Sequence, residues 1–153
     1  MVRTAINDED ARNNGVYAEH ERMENGEVRC RFKFKDGTAY IRTEASSVGG
    51  WQRSHYHNLV HETYIVETGQ IAFVDQCNGR IRLRIIGERG IITTEKRVIH
   101  NVYMFSNSII HTVKHATHGV AQDWHSAPDF DALVCHLTVE DIAKLGCLGE
   151  AAK

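Results

Sequence analysis

The sequence predicts an all-β fold, a sandwich or a barrel, and three observations carry that reading. Short strand-like alternations recur from Glu27 to about Leu137, Asp-Gly and Asn-Gly turns separate several of them, and no helical periodicity lies between them. A parallel α/β sheet would need helices there. The length of 153 residues suits one domain, and an apolar share of 42% with a charged share of 25% suits an ordinary globular core.

Residues 1–26 read as a polar arm with at most a short helix around Asp10–Met23. Arg29–Lys35 (RCRFKFK) alternates cleanly, with Cys30, Phe32 and Phe34 on one face and Arg29, Arg31 and Lys33 on the other. Asp36-Gly37 signals a hairpin into Ala39–Glu44, which alternates again. Gln70–Asp75, Arg80–Ile86 and Leu133–Leu137 are further strand candidates, and Asn78-Gly79 is a second hairpin signal. The β domain is thus expected over 27–137. A helix and tail follow over 138–153, with Thr138 as N-cap, Glu140 and Asp141 in the first turn and Gly146 as the stop.

A net charge of -2 leaves no basic excess to release counterions and argues against nucleic acid as the main partner. No apolar run approaches the length of a membrane span, and the opening MVRTAINDEDARNNG lacks the apolar core of a secretory signal. The four cysteines, Cys30, Cys77, Cys135 and Cys147, form no CxxC pair and read as reduced thiols of a cytoplasmic protein.

The chemistry concentrates in HYHNLVHETYIVETG, from His55 to Gly69. On a strand His55 and His57 share a face, together with Trp51 and Arg53, because the side-chain period is two. Asn58–His61 links to a second strand on which Glu62, Tyr64 and Val66 share one face and Ile65 takes the other. If the strands are neighbours, two imidazoles and a carboxylate converge, which is a first-row transition-metal site. A fourth ligand is expected from Ser106–His115, where Ile109, His111, Val113 and His115 share a face and His111 sits between apolar residues.

The stretch Gly49–Gly69 resembles the first cupin motif at every defining position: Gly49, His55, His57, Glu62 and Gly69. The second cupin motif is matched only in part. Its histidine corresponds to His111, while His100, Ser106 and Ser108 stand at its glycine, proline and second glycine positions and His115 at its asparagine. The resemblance implies a jelly roll and one divalent metal (iron, manganese, nickel, cobalt, copper or zinc) held by His55, His57, Glu62 and His111. It also implies a small-molecule substrate and a homodimer formed through an outer sheet face, which Ile65 would join.

His115 is expected to face the same cavity without ligating, because residues four apart on a strand are about 13 Å apart. It is the candidate acid/base of an isomerase or lyase. Arg53 is a candidate anion clamp, Trp51 a candidate for the pocket mouth, and Tyr64 either core or pocket lining. Three function classes follow: an oxygen-activating enzyme, placed first; a Lewis-acid isomerase, epimerase or lyase on a sugar or hydroxy-acid; and a binding module without chemistry.

Overall fold

The computed structural model of the chain describes residues 8–115 and 123–150. After a short helix, α1 (Asp8–Asn13), come β1 (Val16–Arg22), β2 (Val28–Phe34), β3 (Ala39–Glu44), β4 (Gly50–Trp51), β5 (His55–Tyr56) and β6 (His61–Thr68). Then follow β7 (Gln70–Cys77), β8 (Arg80–Gly87), β9 (Ile91–Thr93), β10 (His100–Met104), β11 (Ile109–His115) and β12 (His125–Ser126), and finally α2 (Pro128–Val134) and α3 (Val139–Glu150).

Two antiparallel sheets result, one in the order β1-β2-β3-β11-β6-β9 and the other β12-β5-β10-β7-β8, with β4 also on β10. Strands distant in sequence lie side by side, β11 between β3 and β6 and β10 between β5 and β7, as a jelly roll requires. The two predicted hairpins are present: Gly37 turns at φ 87°, and Asn78 and Gly79 both take positive φ, at 51° and 74°.

Three elements differ from the sequence reading. Val16–Arg22, within the expected arm, is a strand paired with β2 along its whole length, so the helix stops at Asn13. Leu133–Leu137 is not a strand. Pro128 opens α2 there, and Phe130 and Val134, four apart, bury against Val74. Gly146 does not stop α3. A Cβ on it would meet Ile85 Cγ1 at 2.7 Å, so it serves close helix–strand packing. The cap at Thr138 is as expected: its hydroxyl accepts from the Asp141 N–H at 3.3 Å, and Asp141 accepts from the Thr138 N–H at 3.0 Å.

Between the sheets Tyr64, Val66, Ile71, Phe73, Val102, Met104, Ile110 and Ile92 form one apolar cluster. Each large side chain buried there contributes about 1.5–3 kcal/mol. Phe130, Val134 and Ile142 from α2 and α3 cover the outer face of the second sheet. The outer face of the first sheet carries a ladder of rings instead. His20, Phe32, Tyr40 and His111 follow one another across four strands at 5.6, 6.1 and 5.8 Å between centroids. The end of the barrel beyond the apolar cluster is an open cavity of about 820 Å³. Among the described residues no helix is long and apolar enough to cross a membrane.

Candidate metal centre

Two glycines set the local backbone. Gly49 takes φ 74°, and a Cβ there would lie 2.4 Å from the Met104 carbonyl, so only glycine lets this segment lie against β10. Gly69, at φ 75°, makes the turn from β6 to β7, where a Cβ would sit 3.1 Å from Ser108 Cβ. Between them β5 pairs His55 with His100 of β10, and β6 presents Glu62, Tyr64 and Val66 inward.

His55, His57, Glu62 and His100 are all buried, and one ligand atom from each lies within 4.8 Å of all the others. The three Nε2 atoms each stand 3.1 Å from Glu62 Oε2. Each ring is oriented from behind. His55 Nδ1 donates to the Arg53 carbonyl at 2.9 Å, His100 Nδ1 to the Val98 carbonyl at 3.0 Å, and His57 Nδ1 to the Asp123 carbonyl. With each Nδ1 donating to a backbone carbonyl, each Nε2 is left to serve as a ligand atom, and three of them turned on one carboxylate make a donor set that a cation can bind. His57 Nε2 is buried without a hydrogen-bond partner. The group can therefore hold one divalent metal ion, and its donor set suits a first-row transition metal.

Charges around the centre agree with this. Burial pushes the Glu62 carboxyl up, but the Lys114 ammonium, at 3.2 Å from Oε1, leads the opposing influences, and the carboxyl lies well below its ordinary range. Burial lowers the His55 imidazole and so favours its neutral, metal-binding form. Burial and the Glu62 charge push Tyr64 well up, so its hydroxyl stays protonated and donates to Glu62 Oε2 at 2.9 Å. Asp123 braces the loop after His57. Its carboxylate accepts the N–H groups of Asn58, Leu59 and Val60 at 3.0, 2.6 and 2.9 Å, which outweigh its own burial and lower its carboxyl.

Of the expected ligands, the structure brings together His55, His57 and Glu62 but not His111. The β11 side chains that point inward are Ile110, Thr112 and Lys114; His111, Val113 and His115 point outward. The rings of His111 and Tyr40 stack, Tyr40 Oη lies 2.7 Å from His111 Nδ1, and Glu67 lies 2.7 Å from its Nε2. His115 is exposed and meets Thr63 Oγ1 at 2.8 Å, on the face away from the cavity. Tyr64 lines the cavity floor. Arg53 stands at the rim with its side chain 75% exposed, 3.5 Å from Glu24. Trp51 borders the cavity, but its indole N–H donates to the Leu137 carbonyl and its ring packs edge-on against Tyr103.

Sequence reasoning missed His100, Asp123, Lys114 and Trp124. Trp124 lines the cavity with its ring stacked on His55, 5.5 Å between centroids.

No family model matches the chain, and no curated protein does. Solved structures do match. Oxalate decarboxylase from Bacillus subtilis, studied for its Mn(II) centres, superposes with a TM-score of 0.60 at 14% identity over 84% of this chain, which spans 38% of that longer protein. KdgF from Halomonas sp. gives 0.54 at 12% identity, covering 65% of this chain and 87% of its own. PAC13 from Streptomyces, solved with uridine, gives 0.55 at 16% identity over 83% and 92%. The chain has the cupin fold.

Within that fold the second motif reads differently. Moved eleven residues, so that its histidine falls on His100, the motif places its two glycines at Arg89 and Arg97, its proline at Glu95 and its asparagine at Met104. Neither arginine is a glycine, yet both hold the left-handed backbone that glycine favours, with φ 66° and 64°. The turn conformations survive at these positions while the residue identities do not.

Proposed function

We propose that this chain is a metal-dependent enzyme acting on a small anionic or hydroxylated molecule, with one divalent ion held by His55, His57, Glu62 and His100. The observation that carries the proposal is the set of three imidazoles, each fixed through Nδ1 to a backbone carbonyl and each turning Nε2 toward one buried carboxylate. The ion would supply Lewis-acid polarisation of a substrate oxygen or, if redox-active, activation of dioxygen.

The chain's own residues do the rest. Tyr64 and Lys114 hold Glu62 ionised and oriented, and Asp123 fixes His57. Arg53 at the rim draws in anions, and the exposed face of Trp124 offers an apolar wall beside His55. We place oxygenase-type chemistry first. The support is that His115, the acid/base an isomerase or lyase was expected to use, faces away from the cavity, while Tyr64 and Lys114 are engaged with Glu62. A cytoplasmic setting fits the free thiols of Cys30, Cys77 and Cys135. A homodimer through the outer face of the first sheet would cover the ring ladder and the exposed Ile91, which is cross-strand neighbour to Ile65.

The test is reconstitution of metal-free protein with Fe(II), Mn(II) or Zn(II), followed by a screen of hydroxy-acids, catechol-like aromatics and sugar acids with and without dioxygen. Turnover with iron that stops without dioxygen is the expected result. Equal anaerobic turnover with zinc would replace it with the isomerase or lyase reading. Tight ligand binding without turnover would leave a binding module.

A further inference from the structure

Strand β2 is inside out. In an ordinary two-sheet protein the apolar side of such an alternation faces the partner sheet. Here Phe32 joins the outer ring ladder, and Arg29, Arg31 and Lys33 line the cavity. Cationic side chains turned into a barrel need compensation from partners, solvent or a ligand. Glu27 pairs with Arg29, Glu21 with Arg31 and Glu19 with Lys33. Lys114 is placed differently, because the acid it meets is Glu62, whose other oxygen faces the three imidazoles. A divalent ion taken up there leaves the Lys114 ammonium as surplus positive charge at the cavity wall.

The registers put these groups in line. Lys114 is opposite Glu62 of β6 on one side and Ala39 of β3 on the other, and Ala39 is in turn opposite Lys33 of β2. Neighbouring strands are about 4.8 Å apart. The row across the sheet therefore runs from the metal-holding carboxylate to a lysine, to a gap left by the smallest side chain of the row, and to a second lysine. The Lys33–Glu19 pair is about half exposed on both sides, so it holds Lys33 only weakly.

We infer that Lys114 and Lys33, flanking Ala39, form a subsite for a second anionic group on the substrate. The ligand class is a small acid that chelates the metal through one end and carries a carboxylate or phosphate at the other. The inference rests on the metal-dependent reading above and narrows it.

The probes are 2-oxoglutarate and 2-oxopentanoate, which share a chelating head and a chain length and differ in the terminal carboxylate. Metal content is measured first. A protein that takes up no Mn(II) fails the metal reading itself. On the Mn(II)-loaded protein, calorimetry is expected to show 2-oxoglutarate binding about 10- to 100-fold tighter, as a charge-assisted contact would give. Lys33→Gln, at an exposed position outside the metal group that carries little risk to folding, should remove most of that preference while Mn(II) content stays full, and Lys114→Gln, compared at saturating Mn(II) because Lys114 also pairs with Glu62, should lower the preference likewise. Ala39→Leu should fill the gap and do the same. Equal binding of the two acids by the loaded wild-type protein, no binding of either, or a preference that survives both lysine substitutions would overturn the subsite.

Discussion

Substituting His100 and His111 in parallel separates the two ways of completing the metal site. His100 is 1% exposed, lies 4.4 Å from the His55 ring and stacks on Phe73 at 5.7 Å. Truncation to alanine would remove a donor and also open a cavity costing about 2–4 kcal/mol, so His100→Gln is the cleaner variant. Losing a group that merely orients a ligand costs about 10- to 100-fold in metal affinity, and losing a donor should cost at least the upper figure. That is about 2.7 kcal/mol. His111→Ala should leave affinity unchanged, because that ring is engaged with Tyr40 and Glu67 outside the barrel. Its stability cost should stay near ~1 kcal/mol, since the Glu67 partner is 43% exposed. Equilibrium dialysis against Mn(II), with metal counted per folded chain, reads both variants. Unchanged affinity in His100→Gln beside a large loss in His111→Ala would refute the site described above.

Three more outcomes are expected. Saturating the site to about 100 times its dissociation constant adds about 2.7 kcal/mol, so chelator should lower the melting temperature by about 5–10 °C, which calorimetric scans will measure. In metal-free protein, Glu62 and His55 both titrate below their ordinary values of 4.5 and 6.5, so the unfolded chain binds more protons and stability rises with pH. The His55 contribution should be full above 6.5 and erode as pH drops below it, and the Glu62 contribution should erode below 4.5; in urea titrations at several pH values, no loss of stability between 6.5 and 4.5 would refute the first, and no further loss below 4.5 the second. Asp123→Ala should release the loop that seats His57 and weaken Mn(II) binding about 10- to 100-fold, and unaltered affinity would deny Asp123 that role.

Most of the barrel was readable because its strands alternate and its hairpins carry Asp-Gly and Asn-Gly. That His55, His57 and Glu62 come together was readable because two short strands fix their parity. That His100 joins this group was not readable, for two reasons. Apolar neighbours suggested that His111 points inward, yet the neighbouring wall of this cavity is polar, and Thr112 and Lys114 point into it instead. The second reason is Arg89 and Arg97: residues that take a glycine-like backbone without being glycine hide the register of the motif that would have pointed to His100. Strand β1 was missed because VYAEHER has no apolar face of its own, and pairing with β2 makes it a strand.

The stacking of Trp124 on His55 makes the protein its own optical gauge. The sequence has two tryptophans. Trp51 stands at the cavity border with its indole N–H tied to the Leu137 carbonyl, away from the metal group. Trp124 is 46% exposed and lies 5.5 Å, ring to ring, from a metal-site imidazole. Its emission should respond when a paramagnetic ion enters or when an acid displaces water from the cavity, and more strongly than that of Trp51, which does not stack on a ring of the metal group. Occupancy can thus be followed in real time on unlabelled protein, and Trp124→Phe should remove most of the signal.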